Sequence, residues 1–172
     1  MEGPDSMLSS SAASGGMRLV ERKTLGSIAN AFDFQNLSIL TGRIYKLYVY
    51  AENDTANGSV CSIYINNDTT ATNYYSQLLE GNNAVTAAVR ANNAQCGYIQ
   101  ASGTFCSEYT IFRSPDGYVS ITCMHQQHRG ASVYYDAFSM TKTLTVTNIT
   151  RLAFFSDQNM KVGSTAALYA MP

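Results

Sequence analysis

Tyr109-Thr110-Ile111-Phe112-Arg113-Ser114-Pro115-Asp116-Gly117-Tyr118-Val119-Ser120-Ile121-Thr122-Cys123 reads as two β-strands joined by a tight turn. Pro115 presets φ at the first corner, and Gly117 supplies the left-handed position that closes the turn. Both flanks are rich in β-branched and aromatic side chains, which suit a pleated, half-buried surface. The same composition recurs on either side. Ile44–Tyr50 and Val60–Ile65 are strands, and Asn57-Gly58 between them predicts a second hairpin, because both residues tolerate positive φ. Thr143–Thr147 alternates strictly, and Ile149–Phe154 follows. A turn at Asp157-Gln158-Asn159 and a last strand over Ser164–Ala170 complete the pattern. Ala84–Arg90 fits either period and is taken as strand from its neighbours. Tyr74–Glu80, stopping at Gly81, reads as a helix of one or two turns.

Many short strands with turn signals every 8 to 12 residues predict an all-β fold, an antiparallel β-sandwich of jelly-roll-like type. No strands alternate with long helical patterns, so a parallel nucleotide-binding sheet is not expected. The 172 residues fit one domain with a sizeable core. Residues 1–18 form a flexible Ser/Ala/Gly-rich N-terminal arm and residues 19–172 the sandwich, with order expected from near Leu19. Within the arm, residues 2–16 have nothing to build a core from. They are either plain disorder, including a cloning remnant, or an arm that orders against a partner subunit.

Charged residues make up only 13% of the chain, about half the usual share, and the formal net charge is −1. Electrostatic capture of nucleic acid has no support from such a balance. No apolar run approaches the roughly 20 residues of a membrane helix. Neither nucleic acid nor a membrane is therefore expected as a partner. Cys61, Cys96, Cys106 and Cys123 show no Cys-x-x-Cys spacing and do not form a disulfide scaffold. They read as small buried hydrophobes of a protein made in a reducing cytoplasm. One bridge, with Cys96 and Cys106 as the nearest pair, stays open.

The residues that could carry chemistry are few. Cys123-Met124-His125-Gln126-Gln127-His128 offers zinc-ligand types, but on a strand Cys123 and His125 share a face while His128 points the other way. Two polar residues at a strand end are the simpler account, and no metal or other cofactor is expected. A Ser/His/carboxylate trio could be drawn from Cys106 or any serine, yet there is no Gly-x-Ser-x-Gly elbow. The acidic residues lie mostly beside Asn, Gly or Ser, where turn formation explains them. Phosphate-binding glycine motifs are absent. Asn53-Asp54-Thr55 and Asn66-Asn67-Asp68-Thr69 lack the closing Glu of a calcium loop. The Asn-x-Ser/Thr sequons at Asn36, Asn53, Asn57, Asn67 and Asn148 follow from composition. The expectation is a protein that binds rather than one that catalyses.

Tyrosines remain. Tyr74-Tyr75 and Tyr134-Tyr135 are doublets, so on a strand one ring of each faces the core and the other faces out. Outward Tyr amid Asn, Ser and Gln suits protein interfaces and sugar-stacking platforms alike. Tyr74, Tyr75, Tyr134 and Tyr135 are therefore the candidate partner or glycan contacts.

Two segments together resemble a β-sandwich domain of tailed-bacteriophage virion proteins. Ile63 to Gln77, containing Asn66-Asn67-Asp68 and Asn73-Tyr74, is similar to that domain's strand, Asn-x-Asp and Asn-Tyr segment. Ile149-Thr150-Arg151-Leu152 through Gly163-Ser164 to Leu168-Tyr169 is similar to its closing hairpin. Arg43–Tyr50 falls where the family has a Tyr-containing core strand, so the resemblance spans about residues 19 to 170. It implies a virion component, made in the host cytoplasm, with no catalytic residues to carry over, and Asn-x-Asp residues capping the connection before Tyr74. Family members often belong to longer tail or fibre proteins, whereas here the domain stands nearly alone behind a short arm. That suits a capsid decoration (cement) protein, bound to the major capsid protein and to other copies of itself, three being a natural cyclic number. A tail-associated receptor-binding module holding a host glycan is the alternative.

Overall fold

The structure, a computed structural model, describes residues 16–39, 41–82, 85–129 and 132–172, with the backbone alone at 81–82, 85–87, 126–129 and 132–134. Most of the expected arm, residues 1–15, lies outside the described residues. Strand begins at Arg18, one residue before the expected Leu19.

Two antiparallel sheets pack face to face as a β-sandwich, and the only helical element among the described residues is a 3-10 turn, Ala71–Asn73. The larger sheet has eight strands. From one edge they run β1 (Arg18–Thr24), β12 (Thr165–Ala170), β3 (Ile44–Glu52), β8 (Thr104–Arg113) and β9 (Val119–Arg129), then β10 (Ser132–Lys142), β5 (Tyr74–Asn82) and β6 (Val85–Ala91). The smaller sheet runs β2 (Ala29–Phe34), β11 (Leu152–Met160), β4 (Ser59–Ile65), β7 (Gln95–Ile99).

Alternation explains why these segments are strands. On β3, Tyr45, Leu47, Val49 and Ala51 are buried, while Lys46, Tyr48 and Tyr50 face away from the other sheet. β4 does the same, with Cys61, Ile63 and Ile65 inward. Removing these inward side chains from water is the main stabilising term, about 2 kcal/mol for each large one. Phe154 sits at the centre, with ring centroids 6.3 Å from Phe32, 6.1 Å from Phe105 and 6.0 Å from Tyr109.

The hairpin over Ser114–Gly117 forms as expected between β8 and β9, with Gly117 at φ 94°. Four other expectations are corrected. Asn57-Gly58 does not close a hairpin: β3 and β4 lie in different sheets, and this segment carries the chain across. Asn53, 1% exposed, holds the crossing by donating to the carbonyls of Asn57 and Gln100 while accepting from Thr55. Gly58 gives the Tyr98 ring its place there, since a Cβ would fall 1.7 Å from Tyr98 Oη and the ring would have to move. Tyr74–Glu80 is strand rather than helix, because β10 and β6 pair with it on both sides. Thr143–Thr147 forms no strand; its amides at Thr143 and Val146 bond the carbonyls of Asn73 and Gly117 instead. Asp157–Asn159 lies within β11, and the turn falls at Lys161–Ser164. Several acidic residues likewise stand on strands, among them Asp33, Glu108 and Asp136, instead of in turns.

Asp68 ties the connection before β5 together. Its carboxylate accepts from the Thr70 amide, from Asn73 and from Lys142. Tyr74 is fully buried behind it, its hydroxyl donating to the Asp68 carbonyl and accepting from the Ile65 amide.

Candidate functional site

The outer face of the eight-stranded sheet is set by register. Tyr50 on β3 stands opposite Cys106 on β8, which stands opposite Gln126 on β9. The neighbouring row is Tyr48, Glu108, Met124. Alternation turns Tyr48, Tyr50, Cys106, Glu108 and Met124 away from the core, and Tyr135 of β10 and Tyr169 of β12 extend the same surface. Together with Met17 and Arg22 they line an open groove of about 1030 Å³. Its exposed apolar side chains are large: Met124 is 63% exposed, Tyr135 51% and Tyr50 48%.

The groove's carboxylate, Glu108, is paired with Lys46. Lys46 donates to Glu108 and to Thr110 Oγ1 at 2.8 Å. The Lys46 ammonium holds the Glu108 carboxyl below the usual glutamate range. Tyr48 is pushed above 10 by burial first and then by the Glu108 carboxylate beside it, so it remains a neutral phenol at physiological pH. Its ring meets Tyr169 edge-on at 5.7 Å, and the Tyr135 hydroxyl donates to Met124 Sδ at 3.0 Å. The face offers rings, thioethers and hydroxyls: material for packing, stacking and hydrogen bonding.

The candidate tyrosines are not brought together. Tyr74 is buried in the core, where its phenol is pushed up to about 12 by desolvation, so its expected role as a contact is withdrawn. Tyr75, 51% exposed, lines a separate depression with Gln77, Arg90, Ser139 and Thr141. It pairs with Thr141, six residues along β10 from Tyr135, a separation of roughly 20 Å at 3.4 Å per residue. The Tyr134 side chain lies outside the described residues. Of the three whose side chains are described, Tyr135 alone lines the groove. Sequence reasoning missed Tyr48, Tyr50, Tyr169 and Met124; the signal available was Lys46, whose charge marks the outward parity of β3 and with it Tyr48 and Tyr50.

Beneath the groove, on the inner face, Ser107, His125 and Asp136 stand directly opposite one another on β8, β9 and β10. They are residue types of a nucleophile, a base and an orienting carboxylate. All three are 4% exposed or less. His125 Nε2 lies 2.9 Å from Asp136 Oδ2, with the ring stacked on Phe138 at 5.3 Å and tilted against Phe105 at 5.2 Å. Ser107 Oγ makes no hydrogen bond to the imidazole. The row is a polar layer sealed between the sheets.

Cys123 and His125 share the inner face, and the His128 side chain lies outside the described residues. Among the described residues no group of three metal-ligating side chains converges. All four cysteines are free thiols. Burial pushes Cys61 and Cys96 up strongly and Cys123 to about 12. Cys106 departs from the buried expectation: it is exposed on the groove floor and faces away from Cys96. No family model, curated protein or solved structure matches the chain.

Proposed function

We propose that the protein is a structural component of a bacteriophage virion, a decoration (cement) protein that lays the outer face of its large sheet on the capsid shell. The observation that carries this reading is the groove, a broad aromatic and methionine-lined surface whose carboxylate is already paired with Lys46. Tyr and Met bring large apolar area to an interface with little charge to strip of water. The two segments resembling phage virion domains support the same reading, and repeated copies around a capsid symmetry axis would make it a homo-oligomer, three being the simplest ring.

A tail-associated module holding a host glycan is the second reading. It is favoured by the Tyr48 and Tyr169 rings beside Glu108, since sugars bind by stacking on rings and bonding to a few polar groups. Cryo-EM of purified virions decides between them. Density spread over the shell is the expected result. Density confined to the tail tip overturns decoration in favour of glycan binding, and none on the particle overturns both.

A further inference from the structure

The β6 end of the large sheet carries a second surface. Tyr75 and Gln77 stand on the outer parity of β5, and register sets their neighbours. Gln77 is opposite Arg90 on β6 and Ser139 on β10, and Tyr75 is opposite Thr141. These five side chains line a depression of about 570 Å³. A strand spacing of about 4.8 Å and a rise of about 3.4 Å per residue put the Tyr75 and Arg90 backbones roughly 8 Å apart on the diagonal. That is the span of one sugar ring and its carboxyl group.

The polar tips around this depression are unengaged. Arg151 is held by Asp33 and Arg113 by the Val146 carbonyl, but the Arg90 guanidinium has no hydrogen bond or ion pair to any described residue. The same holds for the Gln77 amide and for the hydroxyls of Tyr75, Ser139 and Thr141. Tyr75 is 51% exposed, and no described ring packs on it. Charge separates the two surfaces. In the groove Glu108 has Lys46 beside it, whereas the charged group lining this depression is a cation with no described partner.

We propose that this depression binds an acidic saccharide, with the apolar face of the sugar on the Tyr75 ring, its carboxylate on the Arg90 guanidinium and its hydroxyls on Gln77, Ser139 and Thr141. A guanidinium fork matches the two oxygens of a carboxylate. An amide and hydroxyls both donate and accept, as the hydroxyls of a sugar do in return. One cation among several hydroxyls suits a sugar carboxylate better than a chain of phosphates. A wholly apolar ligand would need walls that a depression with a single ring does not have. The site is separate from the groove on which the virion reading rests. Locating the protein on particles and titrating this depression can therefore fail independently.

The full chain is titrated calorimetrically with a panel of oligosaccharides carrying uronic or sialic acid, with their methyl esters and with acetate. The ester keeps the shape of the sugar and removes its charge, so this arm needs no altered protein. At least one acidic saccharide is expected to bind, and its ester about ten-fold more weakly, as loss of a charge-assisted pair requires. Arg90→Gln and Tyr75→Ala, both at exposed positions, should weaken binding to a similar degree without moving the unfolding curve. Tyr135→Ala, in the groove, should bind as the unaltered chain does. No acidic saccharide bound at millimolar concentration overturns the proposal, as does equal affinity for acid and ester or for the unaltered chain and Arg90→Gln. Loss with Tyr135→Ala but not with Tyr75→Ala also overturns it, by assigning the sugar to the groove. Displacement by acetate at equal concentration overturns it as well, by reducing the site to a bare anion contact.

Discussion

Lys142 and Asp68 are 74 residues apart in sequence and meet as an ion pair at one end of the sandwich, with the Lys142 ammonium 4.8 Å from the centre of the Tyr74 ring. The lysine side chain is 4% exposed, and this carboxylate is its ion-pair partner. Asp68→Asn is expected to lower stability by about 3 kcal/mol, because it leaves a buried ammonium without its counter-charge. Lys142→Met, which removes the charge and keeps the volume, should lose less. Urea denaturation of the two variants checks the order.

Acid should reveal the same pair. Burial of Asp68 opposes its ionisation, but the hydrogen bonds from Lys142, Asn73 and the Thr70 amide override it and bring the carboxyl from 3.8 down to about 2. A carboxyl depressed by folding contributes stability above its unfolded value, and that contribution is lost as pH falls through the folded one. Stability is therefore expected to drop between pH 4 and 2, by about 1 kcal/mol from this group once solvent screening is counted. Asp68→Asn should flatten that part of the profile. Thermal unfolding at successive pH values reads it.

Gly117 and Gly163 adopt nearly the same backbone, φ 94° and 89°, in different surroundings. A Cβ on Gly117 would lie 3.1 Å from the Val146 carbonyl oxygen, whereas one on Gly163 meets nothing within 4 Å. Gly163→Ala should cost about 1 kcal/mol from backbone strain alone, and Gly117→Ala about 2 kcal/mol because the neighbouring backbone must also shift. Equal denaturation midpoints for the two variants would refute the packing part of this account.

Tyr74 and Tyr135 should separate stability from binding. Tyr74→Ala opens a core cavity and orphans the Ile65 amide, and should cost about 4 kcal/mol. Tyr135→Ala, at a half-exposed position, should leave the unfolding curve unchanged. On the proposed function it weakens binding to mature capsids about ten-fold, as loss of an aromatic anchor does. Co-sedimentation with capsids measures it.

The strands were legible wherever alternation and turn chemistry agreed, as at Tyr109–Cys123 with Ser114–Gly117 between its halves. Legibility failed where tertiary pairing decided. Tyr74–Glu80 has no strong period of its own and becomes strand because β10 and β6 flank it. Thr143–Thr147 has the period but no adjacent strand to pair with along its length. Asn57-Gly58 carries a hairpin signal, yet the buried Asn53 amide ties the crossing, through the Asn57 carbonyl, to the Gln100 carbonyl between β7 and β8, and the chain passes to the other sheet. The candidate face was half legible. The parity of Tyr135 could be guessed from its doublet, but that Tyr48, Cys106 and Met124 share one surface follows from register between strands far apart in sequence.

β12 lies between β1 and β3, and Arg18 pairs with Ala170. The first strand thus has no neighbour in its sheet until the last arrives, and β3 lacks one of its two. Closing that gap means joining segments separated by nearly the whole length of the chain, with the loop-closure entropy that distance carries. Until it closes, β1 and β3 present unpaired edges that invite a strand from another molecule. The step that finishes the large sheet is therefore the one at which a crowded cell would lose this protein to aggregation.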